Sequence, residues 1–194
     1  QQYRVGDLSH VYPLSRGLSP LLVAIGAALF ADELLSLNGI VGIGLASFGV
    51  LSLAFERGPP WRGDSRPVLY AVSTAFIIAS YTVIDGLDVR SSGSALGYIA
   101  WLFLLDGLPL TIFTVMRRGP ELLSIVVREW RKSLFGGALS LLAYGLVIWA
   151  MSQGSMAQVS AIRETSVIFA ALIGVVLLKE RCGVRRVVAA ILVT

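Results

Sequence analysis

SRGLSPLLVAIGAALFADE, residues 15–33, is a run of small and apolar residues entered by one arginine and closed by two acids. No charge interrupts residues 17–31. A helix of about 20 such residues, rising 1.5 Å each, crosses the roughly 30 Å hydrocarbon core of a bilayer. Followed upstream, the apolar character begins near residue 8, so 8–31 is one candidate span. Working outward, further runs cover 38–55, 68–84, 95–115, 134–151 and 157–178, and a seventh begins at Val187 and is still apolar at Thr194. The runs are continuous, whereas a lipid-facing barrel strand alternates over about ten residues. A buried soluble bundle is also a poor reading, because so many long apolar helices cannot all be interior in 194 residues. The composition agrees: 56% of residues are hydrophobic and 14% charged, against about 25% charged in soluble domains. The expected fold is all-α, a polytopic membrane helical bundle with about seven helices present and the last cut short.

Both ends read as cut. The first residue is Gln1, no signal peptide with a basic start precedes the first run, and the eight residues from Val187 are too few to span. The expectation is a fragment of a longer protein. Cys182 is the single cysteine, which rules out an intrachain disulfide, and His10 is the single histidine. One of each, far apart, makes neither a metal site nor a nucleophilic dyad. There is no Walker loop and no GxGxxG after a strand, which argues against ATP-driven transport by this chain and against a dinucleotide enzyme. No cofactor and no metal are expected.

The positive charges orient the helices. The loops after the second, fourth and sixth runs carry Arg57, Arg62, Arg66, Arg117, Arg118, Arg128, Arg131, Lys132, Lys179, Arg181, Arg185 and Arg186, whereas the opposite side carries Arg90 alone. The positive-inside rule places the twelve in the cytoplasm. The net charge of +4 then needs no nucleic-acid partner, since anionic headgroups account for it. Residues 120–135, PELLSIVVREWRKSLF, have apolar residues at helical spacing and either lie flat on the inner interface or form a solvated loop.

The opening stretch has a second copy. IRETSVIFAALIGVVLLKE, 162–180, aligns with 15–33 at an offset of 147, matching Arg16 to Arg163, Ser19 to Ser166, Ala24 to Ala171 and Glu33 to Glu180. The two copies lie five helices apart, so they run through the bilayer in opposite directions. That is an inverted repeat, the arrangement behind alternating access in many secondary transporters. It places Arg16 in the inner half of the membrane and Arg163 in the outer half.

These residues resemble the drug/metabolite transporter superfamily in its EamA-type branch. The resemblance lies in Ser15, Pro20, Ala24 and Glu33, followed by Gly39, Gly42, Gly44 and Gly49. In the second copy it lies in Ala161, Ser166, Ala171 and Glu180, with Val167 in place of the proline. It covers the chain from about Asp7 onward. The resemblance implies ten helices in two five-helix repeats. Residues 1–55 would be the C-terminal part of the first repeat and 67–194 the second, truncated at its last helix. It also implies a carrier of small organic solutes, often an exporter of amino acids, metabolites or toxic compounds. The expected setting is the cell membrane, as a multi-pass protein of a bacterial inner membrane. The expected partners are a small-molecule substrate and the lipid bilayer, with a homodimer left open.

Ionisable groups inside a membrane cost about 2.5–3.5 kcal/mol each at a helix centre, so they usually face a cavity or a partner. Four qualify: Arg16, Asp106, Arg163 and Glu164. Arg163 and Glu164 are adjacent and diverge by about 100° on a helix, so neither is the ideal partner of the other. Arg163 suits a carboxylate, which its guanidinium fork can hold with two hydrogen bonds. Glu164 is a candidate proton carrier, since a carboxyl out of water is not obliged to stay charged. The plain alternative for Arg16, Arg163 and Glu164 is snorkelling to the interface. Asp106 sits mid-run beside Gly107 and Pro109, which mark either a packing kink or a gating point. Tyr81, Trp101, Tyr144 and Trp149 either wall a cavity or belong to the aromatic belts. Gln158 and Ser160 open the helix of Arg163 and can add polar contacts. Small pairs at four-residue spacing, Gly42–Ala46, Ala24–Ala28 and Ala170–Gly174, read as helix-packing surfaces. The leading function is secondary transport of small organic solutes. A membrane-embedded enzyme or a non-transporting scaffold are the alternatives, and the charged set is thin for catalysis.

Overall fold

The computed structural model describes residues 8–55, 66–119, 121–166 and 169. Among these described residues six helices follow in chain order: α1 (Leu8–Phe30), α2 (Leu37–Ala54), α3 (Arg66–Ser91), α4 (Ala95–Arg118), α5 (Glu121–Gln153) and α6 (Met156–Arg163). Among the described residues there is no strand. Five described segments are long and apolar enough to cross a membrane: Tyr12–Phe30, Leu37–Ala54, Arg66–Ser91, Ala95–Arg117 and Val127–Gln153. The later part of the sixth run, the seventh run, Ala170–Gly174, Glu180 and Cys182 lie outside the described residues, as do Arg57, Arg62, Lys179, Arg181, Arg185 and Arg186.

The helices form two compact units. The first joins residues 1–85 to 154–194 and so holds α1, α2, most of α3 and α6; the second is 86–153, with the end of α3, α4 and α5. This is a division by packing, distinct from a division into the repeats 1–55 and 67–194, because compactness carries no information on internal duplication.

The core of the first unit is made of small side chains. Ser15, Ser19, Val23 and Ala27 form a buried row on α1, four residues apart. Ala71, Ala75, Ala79 and Val83 do so on α3, and Ile43, Ala46, Ser47, Val50 and Ala54 form one buried face of α2. Lipid tails are as apolar as leucine, so helices in a membrane are held by close packing of small residues rather than by exclusion from water. The closest approaches lie at Gly17 and Gly26. A Cβ at Gly17 would stand 2.7 Å from Leu51 Cγ and 3.0 Å from the Leu51 backbone nitrogen, and one at Gly26 would stand 2.9 Å from Val83 Cγ2. This corrects the expected contact pairs. Gly42 and Ala28 face outward, and a Cβ at Gly42 meets nothing within 4 Å. Buried rows do recur at four-residue spacing on α1 and α3, but the helical phase decides which row faces a neighbour. Gly17→Val is therefore expected to push α1 off α2 and lower stability in detergent by about 1–3 kcal/mol, whereas Gly42→Val leaves the melting temperature unchanged.

Hydroxyls inside the helices close on their own backbones. Ser15 donates to the Tyr12 carbonyl at 3.0 Å, Ser19 to Ser15 at 2.9 Å, and Thr74 and Thr82 to Tyr70 and Ile78 at 2.7 Å. Without water, each polar group needs an internal partner. On the outside, large apolar side chains stand exposed along every long helix, among them Leu29, Phe48, Phe76, Leu105, Phe113 and Leu142. Exposure on that scale far exceeds the apolar patch of a soluble monomer.

In the second unit Phe103 and Tyr144 pack edge to face, with centroids 6.4 Å apart. Arg90 Nε donates to the Met151 carbonyl at 3.0 Å, placing a cation at the C-terminal end of α5. Residues 120–135 are neither a flat interfacial helix nor a loop, because from Glu121 the chain is one helix with the span that follows, 33 residues long. At 1.5 Å per residue that is about 50 Å, some 20 Å more than the hydrocarbon core. The surplus matches the charged end, where Glu129 pairs with Lys132 at 2.7 Å and with Arg128 at 3.5 Å, and Arg131 stacks on Trp130.

Candidate functional site

The site lies in the first unit and is built by two helices that run antiparallel. α1 ends in a tight turn in which Asp32 takes a left-handed φ of 50° and Glu33 N donates to the Ala27 carbonyl at 3.2 Å. Aspartate tolerates that conformation better than most residues. The turn delivers the Glu33 carboxylate to the start of α6. Its oxygens accept from the Met156 backbone N–H at 3.1 and 3.2 Å, and from the Ser155 hydroxyl at 3.0 Å. The α6 N-terminus has no acid in its own first turn and no cap from the Ser155 side chain. Glu33 therefore supplies both the hydrogen-bond acceptor and the charge that a helix N-terminus needs. Sequence reading found Glu33 only as the acid ending its repeat; the missing acid after Ser155 was the signal that a cap comes from elsewhere. Glu33→Ala is expected to cost about 1–3 kcal/mol in unfolding of the detergent-solubilised protein, and Glu33→Gln, which keeps the acceptor, less.

At the other end of α6 the chain leaves the helical register. Glu164 N and Thr165 N donate three residues back, to Ala161 and Ile162, each at 3.0 Å. A three-residue turn thus stands where 157–178 reads as an uninterrupted helix. Such tight turns within a helical path often accompany functional sites, and helices broken in this way carry the binding sites of many transporters.

Beside this turn the charged residues meet. Arg16 Nη1 lies 3.4 Å from Glu164 Oε1, and Arg163 Nε lies 3.8 Å from the same oxygen. Glu164 is 1% exposed, Arg163 13% and Arg16 22%. The expected depths, Arg16 in one half of the membrane and Arg163 in the other, therefore converge on one carboxylate. Arg16 is held from its own helix as well, with Nε 3.4 Å from the Tyr12 hydroxyl and its guanidinium over the Tyr12 ring at 5.7 Å. Tyr81 of α3 lies within electrostatic reach of Arg16. The adjacent Arg163 and Glu164 do approach each other, because the tight turn alters their divergence, but at 3.8 Å they make no hydrogen bond.

Much of the polar surface here has no partner among the described residues. Arg163 Nε and Nη2, Glu164 Oε2 and Ser160 Oγ are buried without a hydrogen bond, and so is Ser47 Oγ on α2. Ser160 is one helical turn before Arg163 and shares its side of α6. Gln158 points elsewhere, lying 3.3 Å from where a Cβ of Gly39 would stand.

Of the residues singled out from sequence, the structure brings Arg16, Arg163, Glu164, Ser160 and Tyr81 to one region of the first unit. Asp106 and Tyr144 belong to the second unit, where Asp106 is exposed on α4 and Tyr144 packs on Phe103. Trp101 and Trp149 are also exposed there. Among the described residues no cluster of His, Cys, Asp and Glu could hold a metal ion. Tyr12 was missed from sequence, although its place four residues before Arg16 is the spacing that sets two side chains against each other.

Residues 65–194 match the model of the EamA-like transporter family. An uncharacterized transporter from Archaeoglobus fulgidus is 30% identical over 198 residues, covering 95% of this chain and 67% of that protein. No solved structure matches.

Proposed function

This chain belongs to the EamA-like transporter family, and on that premise we propose that it is a secondary transporter exporting small organic metabolites or drugs. The observation that carries this reading is the cluster of two half-buried arginines, Arg16 and Arg163, on the buried Glu164 where α1 and α6 meet antiparallel. Ionisable groups at that depth are costly and are kept where a solute or proton passes. In this reading the bilayer is the cell membrane, and the positive-inside rule, with the basic end of α5 taken as cytoplasmic, has α1 running outward. α1 and α6 then belong to the two halves of an inverted repeat. Alternating access follows if the halves rock about the cluster, with the Arg16–Glu164 contact holding them together in one state. A proton or solute gradient supplies the energy. Carriage accounts for the cluster better than catalysis does, because a single carboxylate flanked by two arginines offers no second acid–base group.

The test is counterflow of labelled solutes into liposomes containing the protein. Exchange that is present in the parent and lost in Arg163→Ala supports the reading. Exchange untouched by substitution of Arg16, Asp106, Arg163 and Glu164 in turn would remove the cluster from the transport path. Product formation without movement of solute would make the protein an enzyme.

A further inference from the structure

The cluster carries more positive charge than negative. Two guanidinium groups, Arg16 and Arg163, face one carboxylate, Glu164. Arginine does not lose its proton in proteins. Two cations less one anion leave one positive charge when Glu164 is ionised, and two when it is protonated. Either way, among the described residues the site lacks a balancing anion, inside helices whose other faces are apolar.

The unpartnered atoms say where that anion goes. Nε and Nη2 of Arg163 lie on one edge of the guanidinium, the edge that offers two parallel N–H groups. Both are buried and without a hydrogen bond among the described residues. Ser160, 1% exposed and one turn away on the same side of α6, adds a free hydroxyl. Arg16 is the less available cation, since it already leans on Glu164 and Tyr12. Its 3.4 Å contact to Glu164 is nonetheless long beside the roughly 2.7–2.9 Å of a tight charge-assisted bond, so it can be given up.

We propose that this cluster is a subsite for the carboxylate of a small monocarboxylic solute, with Arg163 as its bidentate ligand and Ser160 beside it. The proposal rests on the transporter reading for the claim that the ligand is cargo. One carboxylate neutralises the site when Glu164 is ionised. A cation adds to the repulsion, and a neutral amide leaves the charge uncancelled. Glu164 is then the internal rival of the solute, occupying Arg16 until the incoming carboxylate draws on both arginines. A rival implies a sign that a merely structural glutamate would not show: removing its charge should tighten binding of the anion.

The experiment measures binding to the purified protein in uncharged detergent at fixed ionic strength, through thermal stabilisation. The probes are a monocarboxylate series from acetate to benzoate and naphthoate, the matching amides, benzylamine, and oleate as the lipid-derived carboxylate. Stabilisation by at least one water-soluble carboxylate and by neither its amide nor benzylamine is expected. Its affinity should fall about tenfold or more in Arg163→Met, fall less in Arg163→Lys, and rise in Glu164→Gln. Equal effects of carboxylate and amide, an unchanged carboxylate response in both Arg163 variants, no response to any soluble carboxylate, weakened binding in Glu164→Gln, or binding of oleate alone each overturns the proposal. Counterflow separates the two readings. Carboxylate binding with this mutational pattern but no movement of solute leaves the subsite standing and removes the transporter. Movement of solute without any Arg163-dependent carboxylate binding does the reverse.

Discussion

Glu164→Met should destabilise the protein far more than Arg16→Met, although the two residues are partners in the same ion pair. Removing one member of a buried pair typically costs about 3–5 kcal/mol, because the other charge is left uncompensated. Here the two removals are unequal. Without Glu164, both Arg16 and Arg163 remain as largely buried cations with no anion between them among the described residues, so a loss of about 3–5 kcal/mol is expected. Without Arg16, Arg163 and Glu164 are still 3.8 Å apart and opposite in charge, so the loss should be about 1.5–2 kcal/mol, the low end of the range for one hydrogen bond to a charged group. Unfolding of the three proteins in one detergent decides it. Equal losses would mean that Arg163 does not share the carboxylate, and a larger loss in Arg16→Met would reverse the argument. Benzoate, if it occupies the subsite, should restore part of the stability lost in Glu164→Gln.

Transport should depend on the charged residues in a graded way. Arg163→Ala removes two buried donor atoms that make no hydrogen bond among the described residues. A hydrogen bond to a charged group contributes about 1.5–3 kcal/mol, so counterflow is expected to fall about 10- to 100-fold. Arg163→Lys keeps the charge but loses the planar fork and should recover only part of that loss. Asp106→Asn is the comparison, since Asp106 is exposed on α4 in the unit that does not contain the cluster. It should leave exchange within about threefold of the parent. Loss of exchange in Asp106→Asn with none in Arg163→Ala would move the site to the second unit.

The spans were legible because the bilayer imposes a simple rule on sequence. Long uninterrupted apolar runs have no other stable home, so four expected spans coincide with helices α1 to α4 to within a few residues at most ends. The fifth was found but cut short, since charges at Arg128, Arg131 and Lys132 stop an apolar run without stopping a helix. The intramembrane charges were equally visible, because cost singles them out. Which of them meet was not visible. Arg16 and Glu164 are 148 residues apart in the chain, and pairing at that separation depends on how α1 and α6 cross.

The same limit applies to Gly17 and Gly26. Every small residue in an apolar helix is a packing candidate by composition, and only the rotation of each helix about its axis chooses the row that touches a neighbour. Glu33 shows it once more. As an acid after an apolar run it was recognised from sequence, and as the cap of a helix 123 residues later it was not. By itself the sequence determined a membrane-spanning α-bundle and the few residues too costly to be idle there, because solvent alone enforces both. The tertiary structure decided which charges share one carboxylate and which donors are left over for a ligand, because those depend on helix phase and crossing, which no local run of residues encodes.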